Sequence, residues 1–260
     1  MGTHQPTHRN DSPRVVLVGG IDPGAGAGAL RDLLTASALG ARGHVVGTAW
    51  TEQGDDFIVE PRAPASVRIA LTAALAKVGA AETGVKIGMV ASAPVARAVL
   101  AALASFCGPV VFDPVVRASS GGRLYDGDRE SLLALARRAT LLTPNLDEAA
   151  WLLDRPVRTE AEARAAGCAL CALGIPAVLV KGGHLAGEAA DVLVAPAGVT
   201  LFSAARVAGP SPRGTGCALA TAIAVELARG ESLESAVAVA KTWLWQRIER
   251  AATVDGERHL

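Results

Sequence analysis

The chain has 260 residues, half of them hydrophobic but only 3% aromatic, and its 25 acidic and 25 basic side chains leave no net charge. A chain of this length can bury one continuous core, here built mainly from Ala, Val and Leu. The charge balance excludes a role in coating polyanions and makes any phosphate recognition local, and no apolar run is long enough to span a membrane.

The opening segment, MGTHQPTHRNDS, is polar and turn-rich and lacks the apolar core of a signal peptide. Residues 1–13 are therefore expected to be a disordered tail on a soluble, cytoplasmic protein. Val15 to Val18 is a short apolar run ending in Gly19-Gly20, which reads as a strand buried on both faces. Ala27 to Leu39 has helical periodicity, and His44 to Thr48 reads as a second strand. Pro64 to Lys77 is a helix with proline at its first position. The pattern then repeats: strand Gly84 to Ile87, helix Ala93 to Ala104, strand Pro109 to Phe112, helix Asp128 to Arg138.

Leu141-Leu142 is a short strand, and Leu146 to Leu153 a helix capped by Asn145. Thr159 to Leu173 opens with a capping box, Thr159 and Glu162. After strand Ala177 to Val180 the rhythm changes. Asp191 to Val194 and Thr200 to Ala204 flank Ala195-Pro196-Ala197-Gly198 as a hairpin, and Gly214 to Arg229 and Leu233 to Arg250 are two closing helices. Such alternation predicts one α/β domain with a mainly parallel sheet and right-handed crossovers, its ligands at the carboxyl ends of the strands.

Four cysteines, Cys107, Cys168, Cys171 and Cys217, do not suggest a secreted disulfide framework. Cys168-x-x-Cys171 sits in a helical run without a second ligand pair and is expected as two buried helix residues.

Three segments carry chemistry. Arg213-Gly214-Thr215-Gly216-Cys217 precedes a helix, where two glycines let successive N–H groups face an anion at the positive helix end. Asn145 and Glu148 share one helical face just after a strand, which suits a hold for hydrated Mg²⁺, and an N-cap with an ordinary first-turn Glu also explains them. Lys181, in Lys181-Gly182-Gly183-His184, is one of only four lysines and ends a strand, which suits a phosphate contact.

These segments join three others in a fixed order: Gly20-Ile21-Asp22-Pro23-Gly24-Ala25-Gly26-Ala27-Gly28, Lys86-Ile87-Gly88-Met89 and Asp113-Pro114-Val115, followed by Thr143-Pro144-Asn145-Leu146-x-Glu148. Together they resemble the hydroxymethylpyrimidine and phosphomethylpyrimidine kinases of thiamine biosynthesis, within the ribokinase superfamily. The resemblance covers about residues 14 to 250. It implies a ribokinase-like three-layer α/β/α sandwich, one kinase domain over residues 14–255, ATP and Mg²⁺, and a homodimer. The implied reaction phosphorylates 4-amino-5-hydroxymethyl-2-methylpyrimidine and then its monophosphate.

Carried over residue by residue, the resemblance lines the pyrimidine pocket with Gly20, Asp22, Ala27, Gln53, Met89 and Val115. Gln53 would pair with the ring edge, since an amide offers donor and acceptor in one plane. Asn145, Glu148, Lys181, Gly183 and Arg213 would bind ATP and its phosphates, with Asp113 and Glu148 holding Mg²⁺ partly through water. Gly214, Thr215 and Gly216 would form the anion hole, and Cys217 would meet the acceptor hydroxyl where most ribokinase-like sugar kinases carry an aspartate base. Arg213 stands where the family usually has histidine, and arginine there could clamp a phosphate. The loop Val116 to Tyr125 is expected as a mobile flap.

Three rival readings meet specific residues. Some pyridoxal kinases related to this family capture the aldehyde with a flap cysteine, and none lies between Phe112 and Tyr125. A pyrimidine sensor that has lost catalysis would have lost Gly214, Gly216, Lys181 or Glu148, and all are present. A dinucleotide-binding dehydrogenase explains Gly24-Ala25-Gly26, with Glu52 as the ribose-binding acid, but none of the five later motifs.

Overall fold

The computed structural model describes residues 12–53, 57–79, 81–118, 121–183, 189–254 and 257–260. The expected tail falls almost wholly on residues 1–11, outside that set. In chain order, the first half comprises β1 (Arg14–Ile21), α1 (Gly28–Ala38), β2 (Arg42–Gln53), β3 (Phe57–Pro61), α2 (Pro64–Val78), β4 (Thr83–Ile87), α3 (Ala93–Ala102) and β5 (Val110–Phe112). The next elements are α4 (Arg129–Arg138), β6 (Leu141–Leu142), α5 (Leu146–Leu153), α6 (Glu160–Ala172) and β7 (Val178–Val180). The chain closes with β8 (Ala189–Ala195), β9 (Gly198–Ala204), α7 (Thr215–Ala228), α8 (Leu233–Glu249), β10 (Ala252–Val254) and β11 (Glu257–His259).

Nine strands form one sheet in the order β3-β2-β1-β4-β5-β6-β7-β8-β9. The six strands from β2 to β7 pair in parallel, while β3, β8 and β9 add antiparallel edges. Strand alternation sends Val16 and Val18 to one face, where they pack with Val67, Val95, Leu132 and Ala163 of α2, α3, α4 and α6. Val15 and Leu17 go to the other face, against Ala36 of α1, Ile223 of α7 and Val237 of α8. Three layers result. The chain leaves β1 in one direction to reach β2 and later crosses to β4 on its other side, which opens a crevice beyond the carboxyl ends of the central strands.

Expected and observed elements agree closely from β4 to α8. There are three departures, the first two with one cause. Strand β2 runs to Gln53 rather than Thr48, β3 pairs back on it, and β10 with β11 makes a terminal hairpin. The outer part of β2 and β3 is not covered by helices, so Trp50 and Ile58 remain 55% and 43% exposed and no buried-strand pattern marks them. The Cys168-x-x-Cys171 expectation needs correction too: Cys171 is partly buried, but Cys168 faces solvent. Among the described residues no helix is long and apolar enough to cross a membrane.

Candidate active site

Residues just after β5, β6 and β7, with Ala27 from the loop after β1, converge with the start of α7 on a cleft of about 360 Å³. The parallel ladder itself sets their positions. Asp113 N–H donates to Ile87 O (2.8 Å), Thr143 N–H to Phe112 O (2.9 Å) and Lys181 N–H to Pro144 O (2.8 Å). Each site residue is thus the first beyond its strand, still fixed by the neighbouring strand. The segment 116–125 folds back over the cleft, with Leu124 N–H donating to Val116 O and Ala118 N–H to Gly122 O; residues 119 and 120 lie outside the described set.

At the centre, Lys181 Nζ lies 2.5 Å from Asp113 Oδ1 and 3.8 Å from Glu148 Oε2. Thr143 Oγ1 donates to the same Asp113 oxygen at 3.3 Å. The N-cap explanation of Asn145 and Glu148 is realised. They form a reciprocal capping box, Glu148 N–H to Asn145 Oδ1 at 2.8 Å and Asn145 N–H to Glu148 Oε2 at 2.7 Å, and both line the cleft. Burial pushes the Glu148 carboxyl up to about 7, against the pull of Lys181 and with the help of Asp113. Lys181 is held above its usual range because Asp113 and Glu148 outweigh its own burial.

Helix α7 has Gly214 as its N-cap at φ +77° and no side-chain cap. Its first N–H groups therefore lack helical partners and face the cleft at the positive end of the helix. Gly216 brings them against the ion cluster: a Cβ there would lie 3.2 Å from Lys181 Nζ. At Gly214 a Cβ would lie 2.4 Å from Gly26 O. Gly214→Ala should thus shift the loop, cost at least ~100-fold in turnover by misplacing the donors, and lower thermal stability, because the left-handed backbone and the Gly26 carbonyl both oppose a Cβ. Comparing turnover and melting of the two proteins tests this; an alanine variant within twofold of wild-type turnover would refute it.

Cys217, half-buried on the first turn of α7, lines the same wall. Burial pushes its thiol up to about 11, with Asp32 and Asp113 adding to the rise and Lys86 opposing it. Beneath it lies a closed polar network. Lys86 Nζ meets Asp32 Oδ2 at 2.7 Å with both side chains fully buried, and Thr221 of α7 donates to Asp32 Oδ1 at 2.9 Å. The Lys86 ammonium, which burial alone would push down, is held above its ordinary range chiefly by Asp32.

The cleft has two apolar ends. One is lined by Ala27, Val115, Ala118 and Leu124, of which Val115, Ala118 and Leu124 pack with Met89, Ala49 and Ala91. Gly20 and Asp22 do not line the cleft itself. A Cβ on Gly20 would lie 2.8 Å from Met89 Sδ. Asp22 accepts from Gly24 N–H at 3.1 Å and lies 3.7 Å from Arg213 Nη2, so it ties the first glycine loop to the second. Gln53 ends β2, and its side chain lies outside the described residues, as does His184. The other end is formed by Leu244, Trp245 and Ile248 of α8 with Ala205 and Val207.

That second end was not read from the sequence, nor was the Asp32–Lys86–Thr221 network. A signal existed for Lys86, a charge inside the apolar run Val85-Lys86-Ile87. Lys241 was also missed: its Nζ meets Asp191 Oδ2 at 2.6 Å, while Asp191 Oδ1 accepts from Gly182 N–H at 2.9 Å. This pair braces the turn after Lys181, where Gly183 lines the cleft.

Among the described residues, no three His, Cys, Asp or Glu side chains gather as a metal site. Asp113 and Glu148 offer two carboxylates. That set fits Mg²⁺, which keeps several waters and takes its remaining ligands from phosphates.

Comparison with known proteins bears on what this cleft does. A family model described as phosphomethylpyrimidine kinase matches residues 22–259. The hydroxymethylpyrimidine/phosphomethylpyrimidine kinase of Salmonella typhimurium is 40% identical over 92% of this chain and 92% of its own. The crystal structure of phosphomethylpyrimidine kinase from Clostridium difficile superposes with a TM-score of 0.78 at 30% identity, covering 92% of this chain and all of that one. A pyridoxal kinase from Staphylococcus aureus superposes at TM-score 0.86 but only 24% identity, over 96% of this chain and 93% of that one, and speaks to the fold alone. The ribokinase-like sandwich and the phosphotransferase assignment expected from the motifs both hold, and the chain belongs to the phosphomethylpyrimidine kinase family.

Proposed function

We propose that the protein transfers the γ-phosphate of ATP to the hydroxymethyl group of 4-amino-5-hydroxymethyl-2-methylpyrimidine and then phosphorylates the monophosphate, in thiamine biosynthesis. The observation that carries this reading is the order of parts along the cleft. An apolar end lined by Ala27, Val115, Ala118 and Leu124 meets an uncapped helix N-terminus beside Lys181, and a second apolar end, lined by Leu244, Trp245 and Ile248, completes the cleft. Acceptor, phosphoryl group and nucleotide base can occupy these three parts in line.

Phosphoryl transfer asks little covalent chemistry of a protein; positioning and charge stabilisation supply most of the acceleration. The N–H groups of Thr215, Gly216 and Cys217 receive the oxygens of the transferring group. Lys181 adds a point charge, and Arg213 lies alongside to contact phosphate. Asn145 and Gly183 approach the nucleotide phosphates. Asp113 and Glu148 would hold Mg²⁺, which neutralises phosphate charge when bound. Gly20, Asp22, Ala27, Gln53, Met89 and Val115 shape the pyrimidine pocket in this reading. The homodimer and the cytoplasmic location rest on family membership and belong to the same proposal.

Cys217 has a specific place. A thiol raised to about 11 is protonated at neutral pH, whereas a general base works best with a pKa near the operating pH. Cys217 therefore orients the acceptor hydroxyl instead of storing a negative charge. Cys217→Ala should lower turnover about tenfold, below the ~10²–10⁴-fold loss of a true base. ADP release and both phosphorylated products, followed by mass spectrometry with pyridoxine as competitor, test the whole reading. Both products from wild type support it. Preference for pyridoxine would replace the substrate, and a thousandfold loss in the variant would restore Cys217 as base.

A further inference from the structure

The nucleotide end of the cleft is closed by the C-terminal hairpin through one side chain. Arg258, on β11, donates from Nη1 to Ala208 O (3.1 Å) and Pro210 O (3.0 Å), and from Nη2 to Ile248 O (2.8 Å). Those carbonyls belong to the two walls of that end: the loop after β9, which contributes Val207 and Gly209, and the last turn of α8, which contributes Ile248. Arg258 itself lines the cleft where the walls meet. Nothing shorter than a planar guanidinium reaches both at once, because two donor nitrogens must diverge towards separate segments.

The loop is shaped to receive it. Gly209 sits between the two carbonyls that share Nη1, with φ at +93°, and a Cβ built there would lie 3.4 Å from that nitrogen. A left-handed glycine bends the loop so that the carbonyls of Ala208 and Pro210 turn inwards around one N–H₂ group. A second tie acts one helical turn earlier, where Trp245 Nε1–H donates to Ala205 O at 2.7 Å.

We propose that Arg258 is a positioning residue for the nucleotide: it locks the loop of residues 205–211 against α8 and so preforms the wall on which the base of ATP rests. Pre-ordering a wall lowers the entropic cost of binding rather than adding a contact. The inference rests on the reading of this end of the cleft as the nucleotide subsite. Its signature is a loss of nucleotide affinity with chemistry and acceptor binding unaffected. A purely structural role would instead lower stability or raise both Michaelis constants together.

The test measures ADP binding by calorimetry, without acceptor, and then both Michaelis constants, for wild type, Arg258→Ala, Arg258→Lys and Gly209→Ala. Arg258→Ala should weaken ADP binding and raise the KM for ATP about tenfold, as expected for losing charge-assisted hydrogen bonds that order a loop. The KM for the pyrimidine and kcat should stay within about twofold. Arg258→Lys should recover only part of the affinity, since an ammonium lacks the fork. Gly209→Ala keeps the arginine but spoils its seat and should move in the same direction, which guards against an Arg258→Ala protein that fails to fold. Unchanged ADP affinity in both Arg258→Ala and Gly209→Ala overturns the proposal while leaving the kinase reading intact. A wild type that binds no ADP overturns that reading, and this proposal with it.

Discussion

Replacing Asp32 with alanine should cost about 3–5 kcal/mol of folding stability at neutral pH, because it strands a buried ammonium. Lys86 and Asp32 are both fully buried and 2.7 Å apart. Thr221 takes up the second carboxylate oxygen. Removing one partner leaves the other charge without solvent or counter-ion, and that penalty exceeds the net worth of the pair. The double variant Asp32→Ala/Lys86→Met should therefore be more stable than Asp32→Ala alone, although it lacks more of the native interactions.

Lys86→Met gives a different signature. Burial raises the Asp32 carboxyl above its ordinary value of 3.8, and Lys86 is the principal force pulling it back. Without Lys86 the folded state prefers a protonated Asp32. A carboxyl with a raised folded pKa contributes stability below its unfolded pKa and loses it as pH rises. The Lys86→Met protein should thus lose stability between about pH 4 and its raised folded pKa, relative to wild type. Urea midpoints for the variants at pH 5 and pH 8 would show both effects. If Asp32→Ala and the double variant unfold at the same urea concentration, the stranded-charge argument fails.

The same network shows what a sequence conceals. Helix boundaries, the central strands and the loops after them were legible because parallel strands buried on both faces read as short apolar runs and helices carry a period near 3.6. Asn145, Glu148, Lys181 and the two glycines at the start of α7 were legible because short-range geometry alone places them at element ends. Asp32 and Thr221 were not, since their partnership spans 189 positions in the sequence and each lies on a helix where an isolated polar residue is unremarkable. The second apolar end of the cleft was hidden for a similar reason. Leu244, Trp245 and Ile248 read as the ordinary inward face of α8, and only tertiary packing turns part of that face towards the cleft. Among the described side chains of the terminal hairpin none is fully buried, so Arg258 carried no pattern at all.

Lys181→Met should reduce turnover by about 10²–10³-fold while leaving the fold intact, because it removes preorganised positive charge from the point where the proposed reaction places the phosphate oxygens. Lys181 is already in place: its backbone is fixed by Pro144 O and its Nζ by Asp113 at 2.5 Å. Arginine should not rescue it. Gly216 leaves so little room that even a methyl group there would lie 3.2 Å from Nζ, and the larger guanidinium would press the helix N-terminus aside. The loss also acts through Glu148, whose carboxyl is raised to about 7 by burial and restrained by Lys181. In the wild type the acid limb of kcat/KM for ATP should fall near pH 7, since the protonated carboxyl no longer serves a cation. Without Lys181 the restraint is gone and Asp113 still repels the charged form, so the limb should move to higher pH. A coupled assay of ADP release from pH 6 to 9 on both proteins reads the two effects separately. A variant with reduced turnover but an unmoved acid limb would keep Lys181 as a phosphate contact and remove Glu148 as the titrating group; undiminished turnover would move the phosphate site away from Lys181.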